Sequence, residues 1–119
     1  MPFKQRLKWM LDQIPGSLGA ILADWEGEAV DQVARMDDYD LKVLGAHKGI
    51  ILTRLREAMN RVDGGDVEEI QISADQNQTL VMPVTEDYFL VLTLESGAML
   101  GRASYELRRC AVLLRDEIA

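Results

Sequence analysis

The sequence predicts an α+β fold in three layers, a central sheet with helices on both faces, and three observations carry that expectation. Tyr88-Phe89-Leu90-Val91-Leu92-Thr93-Leu94 is a short apolar run rich in aromatic and branched residues, closed by Glu95-Ser96-Gly97. Its length suits a strand, and its lack of polar alternation requires cover on both faces. Stripes at helical spacing lie near both ends of the sequence and in its middle. Between them stand segments with the alternation and turn chemistry of hairpins.

The first stripe is Phe3, Leu7, Met10, Leu11 and Ile14, with Lys4, Arg6 and Lys8 off it and Pro15-Gly16 closing the helix. Trp9 falls beside the stripe, as a packing residue at its rim. Ser17 to Ala34 reads as a hairpin: a small, apolar strand Leu18–Ala23, the turn Asp24-Trp25-Glu26-Gly27, and a more polar return strand Glu28–Val33 suited to a sheet edge.

Asp37-Asp38-Tyr39-Asp40 supplies a cap and first-turn charge for a middle helix running to about Val62. Its stripe is Leu41, Leu44, Ile51, Leu55, Ala58 and Val62, interrupted by Lys48, and Val43, Ala46 and Ile50 form a second apolar edge. Gly45 and Gly49 stand one turn apart on this helix. Each interior glycine costs about 1 kcal/mol relative to alanine. Close packing repays that cost, either against the sheet or against a second copy of the helix.

After the turn Asp63-Gly64-Gly65-Asp66, Val67–Ala74 alternates Ile70 and Ile72 with polar residues, as a half-buried strand does. Its far edge is free to pair. Asp75-Gln76-Asn77-Gln78 is a polar loop into Thr79–Val84, where Pro83 belongs at a bulge or strand end. The last helix carries Leu100, Ala103, Leu107, Cys110, Ala111, Leu114 and Ile118 on one stripe, with Ser96 as its candidate cap.

At 119 residues the chain suits one domain spanning 1–119, with 48% apolar and 28% charged residues. A net charge of −7 argues against nucleic acid or an anionic membrane as the main partner. Met1–Ile14 is charged and amphipathic, without the apolar centre of a signal peptide, and no segment is apolar for the ~18 residues that span a bilayer. One cysteine, Cys110, fits a reducing compartment, and a cytoplasmic location is expected.

No catalytic pattern is present. His47, the single histidine, has no triad or zinc spacing around it, and there is no phosphate loop or nucleophile elbow. No cofactor and no metal are expected, and the chain reads as a binding protein rather than an enzyme.

Gly19-Ala20-Ile21-Leu22-Ala23-Asp24 with Gly27 resembles the first hairpin of the Roadblock / dynein light chain family. Met99-Leu100-Gly101-Arg102 leading into Tyr105-Glu106-Leu107-Arg108-Arg109 resembles that family's last helix, and Phe89–Leu94 precedes it as a strand does there. The resemblance covers nearly the whole chain. It implies a five-stranded antiparallel sheet ordered 2-1-5-4-3, with one helix on one face and two on the other. It also implies a homodimer through the third strand and the middle helix, burying Leu44, Gly45, Lys48, Gly49, Leu52, Ile70 and Ile72.

The single-domain form resembles the prokaryotic MglB-like branch, whose dimer binds a small Ras-like GTPase, MglA, and stimulates hydrolysis by rearranging it. The implied function is regulation, by GTPase activation or as a scaffold, with Lys48, Arg56 and Met59 as the GTPase contacts. The alternative is a motor light chain or scaffold subunit with no effect on nucleotide turnover. Arg54, Arg56 and Arg61 read as solvated helix arginines rather than as an arginine finger.

Overall fold

The apolar run that anchors the sequence reading is the middle strand of the sheet. A computed structural model describes residues 2–24, 28–41, 43, 50, 51, 53, 54, 57, 61 and 65–118. The N-terminal helix is Pro2–Asp12 and the C-terminal helix Leu100–Ile118. The strands are β1 (Ser17–Asp24), β2 (Ala29–Ala34), β3 (Ile70–Ser73), β4 (Asn77–Pro83) and β5 (Tyr88–Glu95). They form one sheet in the order β2-β1-β5-β4-β3, with every pairing antiparallel. Strand order and layers are those expected.

β5 lies between β1 and β4, and Phe89 to Leu94 are buried on alternate faces. Leu90, Leu92 and Leu94 pack with Leu7, Met10, Leu11 and Ile14 of the N-terminal helix and with Ala103, Leu107, Ala111 and Leu114 of the C-terminal one. Phe89 and Val91 face the other way, into a cluster with Ile21, Ala23, Val81 and Leu41. Leu41 opens the middle helical region, and Gly19 makes room for it. A Cβ at Gly19 would lie 3.1 Å and 3.3 Å from the two Leu41 methyl carbons. Two helices therefore cover one face, and helical residues beginning at the Asp37 cap cover the other. Asp37 Oδ2 accepts the Asp40 amide at 3.1 Å, the cap that the acidic cluster suggested.

Several local expectations are corrected. The N-terminal helix stops at Asp12 and tightens through Gln13 N–H to Met10 O and Ile14 N–H to Leu11 O, so Pro15-Gly16 follows its end. β3 covers only Ile70–Ser73 of the expected 67–74. In its register with β4, Ile70 opposite Val81, position 68 would fall opposite Pro83, which has no N–H to donate. Glu69 leaves the ladder instead, accepting the Ser104 hydroxyl at 2.7 Å.

Ser96 does not cap the C-terminal helix, which begins four residues later at Leu100. Gln78 belongs to β4 rather than to a loop, and it is buried. Its Nε2 donates towards the carbonyls of Glu95, Ser96 and Ala98, at 3.3, 2.9 and 3.2 Å. The turn into the last helix is thus held from within the sheet. Trp25 to Gly27 of the first turn, and Asp63 and Gly64 of the third, lie outside the described residues.

Candidate protein interface

Helical residues of the middle region present aliphatic side chains to solvent. Val43, Ile50 and Ile51 are all helical and exposed, Ile50 at 59% and Ile51 at 42%. Ile51, expected on the stripe against the sheet, is therefore on the outside of the monomer. Val43 and Ile50, the expected second edge, are outside as well. Tyr39, in the first turn of this region, is also exposed.

β3 is an edge strand of the sheet. Ile70 and Ile72 alternate with exposed Gln71 and Ser73, and both isoleucines are half-buried. Ile70 packs against the cluster that holds Leu41. The structure brings β3 and the start of the middle helical region onto the same side of the sheet. Leu44, Gly45, Lys48, Gly49 and Leu52 of the expected dimer interface lie outside the described residues, as do Arg56 and Met59 of the expected GTPase contact. Arg54, Glu57 and Arg61 are exposed, in keeping with solvated helix positions.

The opposite surface is built differently. Arg6 Nε donates to Glu117 Oε1 at 2.8 Å, and Arg102 Nε to the Gln13 carbonyl at 2.8 Å, tying the two terminal helices together. Arg109 stands over the rings of Trp9 and Tyr105, with its Cζ at 5.1 and 5.9 Å from their centroids. Its Nη1 lies 3.6 Å from Oε1 of Glu106, a carboxylate only 6% exposed as a residue. Sequence reasoning missed Glu106. Its place between Ala103 and Cys110, on the edge of the apolar stripe, was the available signal. Cys110 is buried, and desolvation pushes its thiol up to about 12, so it is a structural thiol. Among the described residues no cluster of side chains could hold a metal ion.

No protein-family model and no curated protein matches the sequence. Solved structures do. A Roadblock/LC7 domain from Streptomyces avermitilis superposes with a TM-score of 0.89 at 18% identity, over 97% of this chain and 96% of that one.

The chain has the Roadblock/LC7 fold.

MglC from Myxococcus xanthus aligns over 98% of this chain and 99% of its own at 29% identity, with a TM-score of 0.71. The gliding protein MglB from Thermus thermophilus has a TM-score of 0.87 at 18% identity, over 98% and 90% of the two chains. The likeness to the Roadblock family, read first in the hairpin and last helix, extends to the whole fold, and the likeness to its MglB-like branch, read in the single-domain form, is matched by the MglB and MglC chains among these structures. No helix among the described residues is long and apolar enough to cross a membrane.

Proposed function

We propose that this chain is a homodimeric regulator or scaffold of a small Ras-like GTPase, acting within a single domain of residues 1–119. The observation that carries the proposal is the exposed aliphatic side chains of Val43, Ile50 and Ile51, in a molecule whose sheet also ends in the edge strand β3. Aliphatic side chains left in water at helical positions, together with a sheet edge, suit an interface between copies. In a symmetric dimer each such residue is buried twice. Leu44, Gly45, Lys48, Gly49, Leu52, Ile70 and Ile72 complete the proposed dimer contact. Lys48, Arg56 and Met59 are the proposed contacts to a GTPase bound across the paired middle helices.

The GTPase part of the reading rests on the likeness to the MglB and MglC chains. The chain would then work as a regulatory binding protein in the cytoplasm, any stimulation of hydrolysis occurring at the partner's own nucleotide site. Two measurements test it. Light scattering at micromolar concentration should give twice the 13.4 kDa chain mass, and a monomer would sink the dimer. GTP turnover by the small GTPases of the same genome, with the protein at saturation, should rise by about tenfold or more, equivalent to about 1.4 kcal/mol at the transition state. Binding without acceleration would leave a scaffold, and no binding would end the GTPase reading.

A further inference from the structure

The second surface is not used by this reading. The seam between the terminal helices holds a cleft of about 350 Å³ lined by Gln5, Arg6, Trp9, Cys110, Leu113 and Glu117. Beside it lies a shallower depression of about 310 Å³ along Tyr105, Arg108, Arg109, Val112 and Leu113. Leu113 borders both, and Arg109, stacked on Trp9, adjoins the first from the second. Trp9 is 46% exposed and Tyr105 58%.

Charge divides along the same line. The two terminal helices carry seven of the thirteen basic residues but four of the twenty acidic ones. This layer is therefore net positive on a chain whose total is −7.

We propose that this seam docks an acidic protein segment with aliphatic anchors, on the terminal-helix face of the sheet, opposite the face that Leu41 covers. The aliphatic side chains would enter the depression formed by Tyr105, Val112 and Leu113. Arg109 is prepared for the carboxylates. A guanidinium held over aromatic faces keeps the N–H groups at its rim available for a carboxylate fork. The buried Glu106, whose Oε2 has no partner among the described residues, holds the same guanidinium from beneath and limits its rotamers. Arg108, 64% exposed in its side chain and only loosely paired with Glu69 at 3.6 Å, supplies a second cation one position away. Trp, Tyr and Arg are the residues that most often dominate binding energy at protein interfaces. A lipid surface is the poorer fit, because the rest of the molecule is acidic.

The test uses the full chain and a fluorescein-labelled amphipathic peptide with leucines on one edge and glutamates on the other. Its controls are the same peptide with lysines in place of the glutamates, and phosphatidylserine vesicles. Fluorescence anisotropy should show binding of the glutamate peptide alone, weakened by about tenfold or more in Arg109→Glu and in Val112→Glu. Raising salt from about 0.05 to 0.5 M should weaken it further. Val112→Glu is at an exposed position and should leave light scattering and thermal melting unchanged, whereas Arg109→Glu, which also deprives the buried Glu106 of its cation, should keep the scattering mass and melt lower. In a Trp25→Phe variant Trp9 is the remaining tryptophan, and its emission should shift on binding. Equal binding of the lysine peptide, indifference to Arg109→Glu, binding to vesicles alone, or no binding to any probe would each overturn the proposal. None of these outcomes bears on the dimer.

Discussion

The two outer surfaces of this molecule are made of different materials. Val43, Ile50 and Ile51 are bare aliphatic side chains in water. Across the sheet, Trp9 and Tyr105 are exposed to a similar degree, yet they are covered in part by a guanidinium and bordered by ion pairs. Permanent interfaces resemble a core cut in half, whereas surfaces that bind and release are more polar and richer in Trp, Tyr and Arg. The contrast suits a lasting self-association on one side and a reversible, salt-sensitive contact on the other.

The largest effect should come from breaking the aliphatic side. In Ile50→Asp/Ile51→Asp, two carboxylates per chain would face their symmetry mates, and the scattering mass should fall to that of a monomer. A mass that stays at the dimer value would show that these isoleucines serve something else. The same pair of changes should leave the glutamate-peptide affinity within about twofold, because distant sites act independently.

How each layer is fastened to the sheet gives the next two tests. The terminal-helix layer depends on Gln78, which links β4 to the turn before the C-terminal helix. Gln78→Leu should cost about 1 kcal/mol by removing the buried amide's bonds to the turn carbonyls, seen as a lower denaturant midpoint with the dimer mass kept. The other layer depends on the space at Gly19. Gly19→Val should cost about 1–3 kcal/mol by forcing Leu41 outward, and Gly19→Ala should cost less because the Leu41 methyls can shift. If both are neutral, Leu41 is not what seats that layer.

Cys110 gives the smallest effect. Its folded thiol is pushed up to about 12 by burial, so the folded state favours the protonated form. A pKa raised on folding leaves stability untouched below the unfolded thiol's value and removes it as pH climbs towards the folded one. Melting temperature should therefore decline between about pH 9 and 12 more steeply in the native protein than in Cys110→Ala, compared at each pH. Parallel curves would remove the thiol from that account.

Much of the fold was legible because it depends on strong local patterns. The run Phe89–Leu94 could only be a doubly covered strand, and the stripe from Ala103 to Leu114 only a buried helix face. The strand order was different: it came from the resemblance to Roadblock proteins, since no hydrophobic period specifies which edge a hairpin joins. Gln78 looked like a loop residue because its three acceptors lie some twenty positions away in sequence. Glu106 was hidden for another reason: its partner Arg109 is three residues on in the same helix, a pairing that reads as an ordinary surface one until the fold buries the carboxylate. Ile51 fell on the inner stripe by periodicity, yet it faces water in the monomer. A period of 3.6 marks an apolar edge without saying whether a sheet or another chain will cover it.

The Arg6–Glu117 pair has a practical corollary. It clasps a residue near the start of the chain to one near its finish at 2.8 Å. A short flexible linker could therefore join the two ends, and new ends could be opened at the exposed Asp75-Gln76 bend between β3 and β4. Such a circular permutant of residues 1–119 would keep every strand pairing while moving the attachment point for a surface, dye or fusion partner to the bend beside the edge strand β3.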